Sequence, residues 1–170
     1  IEYFETPNTI AGHKLIGIKA TIFKGNKTLK RVILPDCVKT IAKEMFKECT
    51  SLEEVVISKG MISIGDDAFY GDYNLHHLTI PDGLTSIGRG AFSNAGLKYV
   101  TWPKSISNIV GDFSWFMSNL YRAFYPGTEE EWNLIQNGAL SSYSYCVEFE
   151  SSVNDLRLCE TSKYSFIASN

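Results

Sequence analysis

A segment of the form Leu-x-x-Val-x-Ile-Pro returns along the chain at a near-constant interval. Apolar positions that recur in this way are buried by stacking the copies on one another. The first clear copy is Leu29-Lys-Arg-Val32-Ile-Leu34-Pro35. Leu52-Glu-Glu-Val55-Val-Ile57-Ser58 follows at an interval of 23, and Leu75-His-His-Leu78-Thr-Ile80-Pro81 at the same interval again. Leu97-Lys-Tyr-Val100-Thr-Trp102-Pro103 comes after 22, and Leu120-Tyr-Arg-Ala123-Phe-Tyr125-Pro126 after another 23. The second half of each unit repeats too. Val38, Met61, Leu84 and Ile106 form one column, Ile41, Ile64, Ile87 and Ile109 another, and Phe46, Phe69 and Phe92 a third. The fourth copy departs from the third column, with Ser114 at the Phe position between Phe113 and Trp115. A fainter N-terminal unit places Leu15, Ile18 and Phe23 one such interval ahead of Val38, Ile41 and Phe46.

The spacing dictates local structure. The period-2 pair, Val32 and Leu34 in the first copy, points inward from a short strand. Pro or Ser then ends the strand, because Pro has no N–H to give to a ladder. Ile-Gly-x-x-Ala-Phe sets a small residue beside a tight turn and lets Phe fill the space between neighbouring coils. No coil buries this set alone.

The run Leu75-x-x-Leu78-x-Ile80-Pro81-x-x-Leu84-x-x-Ile87-Gly88-x-x-Ala91-Phe92 resembles the BspA-like class of leucine-rich repeats, and the resemblance covers about residues 6–126. The segment Tyr125-Pro-Gly-Thr-Glu-Glu-Glu-Trp132-Asn-Leu-Ile135 is similar to the element that often closes such arrays. The fold expected is a leucine-rich-repeat solenoid of the α/β class. It has about five coils, each one repeat interval (22–23) long, and a C-terminal cap. Such proteins are common on the surface of, or secreted by, gut and oral bacteria, and occur in some parasitic protists. The resemblance therefore implies adhesion or host interaction, and it carries no catalytic residues to transfer.

Composition narrows the alternatives. The 170 residues suit one buried domain; 44% are hydrophobic and 21% charged, which is globular and not disordered. A formal net charge of −3 lacks the basic excess that nucleic-acid binding demands. No apolar run reaches the roughly 18 residues of a membrane helix, so no direct membrane insertion is expected from this segment. The start at Ile1, without a leader, is expected of a mature or trimmed piece of a longer protein.

The ends read as caps. Residues 1–28 form an irregular N-terminal capping repeat, 29–126 the repeats, and 127–170 a C-terminal cap. Thr128-x-x-Glu131 is a capping box that opens a short helix over 129–137, with Glu129 and Glu130 favourably placed in its first turn. That helix lays Trp132 over the last coil. Residues 143–149 alternate like an edge strand, and polarity rises beyond Ser151.

On each repeat strand the residues flanking the inward pair face the other way, and leucine-rich-repeat geometry makes that face concave. One outward column is Arg31, Glu54, His77, Tyr99 and Arg122; the next is Ile33, Val56, Thr79, Thr101 and Phe124. Five strands at about 4.8 Å span about 20 Å, enough for a peptide, a glycan or one face of a small protein. Arg31 and Glu54 also suit a plain cross-strand ion pair. Tyr99, Arg122 and Phe124 suit a partner contact, since aromatics and Arg are enriched at interfaces, or a surface covered by the tail.

Catalytic chemistry is not evident. Adjacent strand residues His76 and His77 point to opposite faces and cannot share a metal. Asp66-Asp67 and Glu129–Glu131 read as solvated turns or a helix start, with no acid and base pair and no nucleophile elbow or phosphate loop. No enzyme activity, metal or cofactor is expected. Cys37, Cys49, Cys146 and Cys159 lack metal-ligand spacing and fit free thiols or one or two disulfides. Asn26-Lys-Thr28 is a glycosylation sequon, meaningful only in a secreted eukaryotic protein. The expectation is a non-catalytic binding or adhesion module, cell-surface or secreted, recognising a protein, peptide or glycan ligand. An intracellular or phage-borne interaction module and a structural spacer are the alternatives.

Overall fold

Each of the first four repeats lays down two short strands and the fifth lays down one, and all are placed by the apolar columns. The structure, a computed structural model, describes residues 2–5, 9–10, 13–14, 18, 20–110, 120, 122–135 and 146–149. The Leu-x-x-Val segments form β4 (Arg31–Ile33), β6 (Glu54–Val56), β8 (His77–Thr79), β10 (Tyr99–Thr101) and β12 (Arg122–Tyr125). The second halves form two-residue strands: β5 (Thr40–Ile41), β7 (Ser63–Ile64), β9 (Ser86–Ile87) and β11 (Asn108–Ile109). Ahead of the repeats lie β1 (Tyr3–Glu5) and an antiparallel pair, β2 (Thr9–Ile10) and β3 (His13–Lys14). Behind them come α1 (Glu129–Ile135) and β13 (Cys146–Phe149). The result is a parallel β-solenoid with little helix.

The first set of strands makes two ladders, β1-β4-β6-β8 and β10-β12-β13, and the second set makes one continuous ladder, β11-β9-β7-β5. Every repeat-to-repeat pairing is parallel and in register by the sequence columns: Val32 lies beside Val55, Val55 beside Leu78, and Ile41 beside Ile64 beside Ile87. The turns are laddered as well, with Phe46 N–H donating to Ala68 O at 2.9 Å and Phe69 N–H to Ala91 O at 2.7 Å. Backbone groups that cannot pair within one short coil thus find partners in the next.

A column of aromatic rings runs through the core. Phe23, Phe46, Phe69 and Phe92 are stacked with centroids 5.1, 5.2 and 5.3 Å apart and planes within 4° of parallel. Identical coils stacked at strand spacing impose that geometry, and all four rings are buried. Phe4 closes one end edge-on against Phe23 at 4.7 Å. At the other end Phe92 meets Trp102, which stacks on Trp132 of α1 at 6.4 Å. The capping box is formed: Thr128 N–H donates to Glu131 Oε2 at 2.9 Å, and Glu131 N–H to Thr128 Oγ1 at 3.2 Å. The helix thus lays Trp132 over the last coil as the sequence implies. Positions 136 and 137 of the expected helix, and 143–145 of the expected strand, lie outside the described residues, as do Leu15, Ser114 and Cys159.

A buried polar site interrupts this apolar interior. Asp72 and Cys49 are both fully buried, and Cys49 N–H donates to Asp72 Oδ1 at 2.8 Å. Asp72 Oδ2 has no hydrogen-bond partner among the described residues. Burial pushes the Asp72 carboxyl up to about 8, against the pull of the Cys49 amide and Lys27. The Cys49 thiol donates to Phe23 O at 2.9 Å, and burial, aided by Asp72, pushes it up to about 12. Cys49 is thus a small core residue. It and half-buried Cys37 are free thiols, not a disulfide.

Candidate functional site

The ten residues singled out from the sequence lie where their columns put them. Arg31, Glu54 and His77 stand side by side in register on β4, β6 and β8, and so do Ile33, Val56 and Thr79. Tyr99 faces Arg122, and Thr101 faces Phe124, on β10 and β12. The first and third residues of each strand are the more exposed ones, as alternation requires. Arg31 and Glu54 form a side-chain ion pair through Nε and Oε2. Both side chains are well exposed, so the pair organises the surface more than it stabilises the fold.

The two columns are longer than the repeat pattern indicates. β1 adds Tyr3 beside Arg31 and Glu5 beside Ile33, and β13 adds the register positions of Cys146 beside Arg122 and Glu148 beside Phe124. Tyr3 lies further ahead of Arg31 in the chain than Arg31 lies ahead of Glu54, so the repeat period does not find it. The antiparallel β2–β3 pair falls within that longer interval.

The ten residues do not share one unbroken surface. No ladder joins β8 to β10, although β9 and β11 of the same two coils remain paired on the opposite side. The coils are therefore splayed on one face and closed on the other. The cause lies in the turn ahead of β10. Phe46 and Phe69 precede the next repeat leucine by six positions, whereas Phe92 precedes Leu97 by five. The shortened turn draws the backbone so close to its neighbour that a Cβ at Gly96 would sit 2.1 Å from Tyr73 O; only glycine fits.

The splay opens a cleft of about 460 Å³ in the face of the sheet. Five of the ten residues line it: Thr79, Tyr99, Thr101, Arg122 and Phe124. The remaining lining comes from Leu78, Ile80 and Val100, which the repeat assigns to the interior. Leu78 and Ile80 are only partly buried, while their column mates Val55 and Ile57 are buried. Sequence reasoning takes these three for core. The one signal that points to them is the single shortened interval, from Leu75 to Leu97. Arg31, Ile33, Glu54, Val56 and His77 lie on the other ladder and do not line the cleft.

The cleft is apolar below and polar at its rim. Its lining supplies two threonine hydroxyls, one phenol and one guanidinium, and no carboxylate among the described residues. Tyr99 is 64% exposed, an accessible aromatic at the mouth. Among the described residues no group of three or more His, Cys, Asp or Glu side chains gathers to hold a metal, and no helix is long and apolar enough to cross a membrane.

A family model described as the BspA type leucine-rich repeat region matches residues 2–125 in six copies. Solved structures of leucine-rich repeat proteins are similar to it, two of them as follows. A T. pallidum leucine-rich repeat protein shares 28% identity over 69% of this chain and 56% of its own, with a TM-score of 0.63. A leucine-rich repeat protein from Bacteroides ovatus shares 26% identity over 71% of this chain and 33% of its own, with a TM-score of 0.64. The chain thus spans about half and one third of these proteins. No curated protein matches it by sequence.

Proposed function

We infer, from the premise that the chain belongs to the BspA-type leucine-rich-repeat family, that it is a non-catalytic binding module of a cell-surface or secreted protein. Its ligand is a protein, peptide or glycan, and its binding surface is the outward face of the β4–β12 strands. The observation that carries this reading is the cleft between β8 and β10, where half of the residues singled out from the sequence converge on partly exposed apolar side chains. Concave, mostly apolar sites with a few placed polar groups are the usual form of a binding pocket. Tyr99, Arg122 and Phe124 are of the types that anchor interfaces. Repeat arrays of this family and their structural relatives support a protein-type interaction. The surface or secreted location rests on the resemblance alone.

An array of host proteins, bacterial proteins and glycans, probed with the chain and with an Arg122→Ala/Phe124→Ala variant, tests the surface. Binding by the first and not by the second is expected. Binding that the double variant leaves intact rejects this face. The complete reading frame tests the location: an export signal or anchor supports it, and fusion to an effector or tail-fibre domain without one favours the intracellular or phage-borne alternative.

A further inference from the structure

The geometry points to a definite ligand class for the cleft, resting on the reading above: a glycan with a 2-acetamido sugar, its acetamide between β8 and β10 and its ring at the mouth. Along a strand, successive residues turn their backbone N–H and C=O to alternate sides. His77 N–H donates to Glu53 O, just ahead of β6, at 3.2 Å, so Leu78 turns its own N–H and C=O toward β10. Trp102 N–H donates to Phe124 O on β12 at 2.8 Å, so Thr101 turns its pair back toward β8. No ladder joins β8 to β10, and neither Leu78 nor Thr101 has a backbone partner across the gap among the described residues. Such groups take their hydrogen bonds from water or from a ligand.

A trans secondary amide is complementary to that gap. Its C=O and N–H point in opposite directions, so between the strands it accepts from one edge and donates to the other. It carries no formal charge, and its recognition does not draw on the Arg122 guanidinium. Beneath the gap lie Val100 and the partly exposed Leu78 and Ile80, whose counterparts Val55 and Ile57 are buried. An acetyl methyl covers that floor and takes its surface out of water. The gap is blind, because β9 and β11 of the same two coils stay paired on the far side. A group that ends there fits, and a chain that must run on does not. At the mouth stand Tyr99, 64% exposed, and the hydroxyls of exposed Thr79 and Thr101. A pyranose presents C–H faces to an aromatic ring, and hydroxyls that both donate and accept. It suits this rim better than the bare aliphatic tether of an acetylated lysine.

The test is an amide-resolved NMR titration of the chain with N,N′-diacetylchitobiose. The controls are cellobiose, with hydroxyls in place of the acetamides, and a Gly-Ser-(Nε-acetyl-Lys)-Ser-Gly peptide. The diacetyl sugar is expected to bind best and to shift the Leu78 amide, with saturation transfer strongest at an acetyl methyl. Cellobiose should bind at least about tenfold more weakly, having lost the amide's hydrogen bonds and the methyl. Tyr99→Ala should weaken the diacetyl sugar about tenfold. Thr79→Trp, at an exposed position, fills the mouth without touching the core and should abolish its binding. Thermal melts matching the wild type confirm that both variants fold. Cellobiose or the acetyl-lysine peptide binding as well as the diacetyl sugar overturns the proposal. So does an unmoved Leu78 amide, or binding that survives Thr79→Trp. If no sugar binds while the array ligand is still lost in Arg122→Ala/Phe124→Ala, this ligand chemistry is wrong and the face stands. If the array ligand also ignores that double variant, the face itself is wrong.

Discussion

At the scale of single residues, Asp72 is the group whose environment is most at odds with its chemistry. It is fully buried, one carboxylate oxygen lacks a partner among the described residues, and burial raises it from 3.8 to about 8. A carboxyl raised on folding favours the folded state most below its unfolded pKa, and that contribution is lost as pH climbs toward the folded value. The window therefore runs from about pH 4 to pH 8, and the loss across it is on the order of 5 kcal/mol. Asp72→Asn keeps an oxygen for the Cys49 amide and removes the titration. Its melting temperature should be nearly flat from pH 5 to 9, and above the wild type's at pH 8. Equal pH slopes for the two proteins in differential scanning calorimetry would contradict this account of Asp72.

At the scale of elements, the cap and the interrupted ladder carry separate predictions. Thr128→Ala removes the acceptor for Glu131 N–H and should cost about 1 kcal/mol in urea denaturation. Inserting one Asn between Ala95 and Gly96 restores the full repeat interval. The lengthened turn should let β10 pair with β8, so that the Leu78 amide slows in hydrogen exchange and the cleft closes. Exchange at Leu78 as fast as in the parent chain would refute the shortened turn as the cause. The strands themselves were readable from the sequence, because Val32, Val55 and Val100 sit in columns that only a stacked array buries. The capping box was readable because Thr128 and Glu131 interact locally. The cleft was not. Leu78 carries the same apolar signature as Val55, and its exposure depends on the distance between two strands, which one missing residue sets elsewhere. Tyr3 escaped for a related reason: it joins the sheet out of period.

At the scale of the whole molecule, each coil touches mainly its neighbours, so long-range integrity depends on columns that run through all of them. The ring stack from Phe23 to Phe92 is one such column, and Trp102 and Trp132 report on its far end. Phe69→Ala removes the stacked partner of both Phe46 and Phe92. It should cost about 3–5 kcal/mol, as for other large-to-small core changes. The wild type is expected to unfold with coincident tryptophan-fluorescence and circular-dichroism transitions. In Phe69→Ala the two should separate, because the tryptophans lie on one side of the break; coincident curves in the variant would mean that the coils remain coupled without the stack.

The one-sided closure between the third and fourth coils also has a mechanical meaning. The earlier coils are fastened to one another at both faces, but here, among the described residues, the backbone pairing is that of β9 with β11. Pulled from its ends, the solenoid should flex there first, with that short pairing as the hinge and the opposite face as the mouth that gapes. A molecule tethered at one end and holding a ligand in that mouth would then convert tension directly into release.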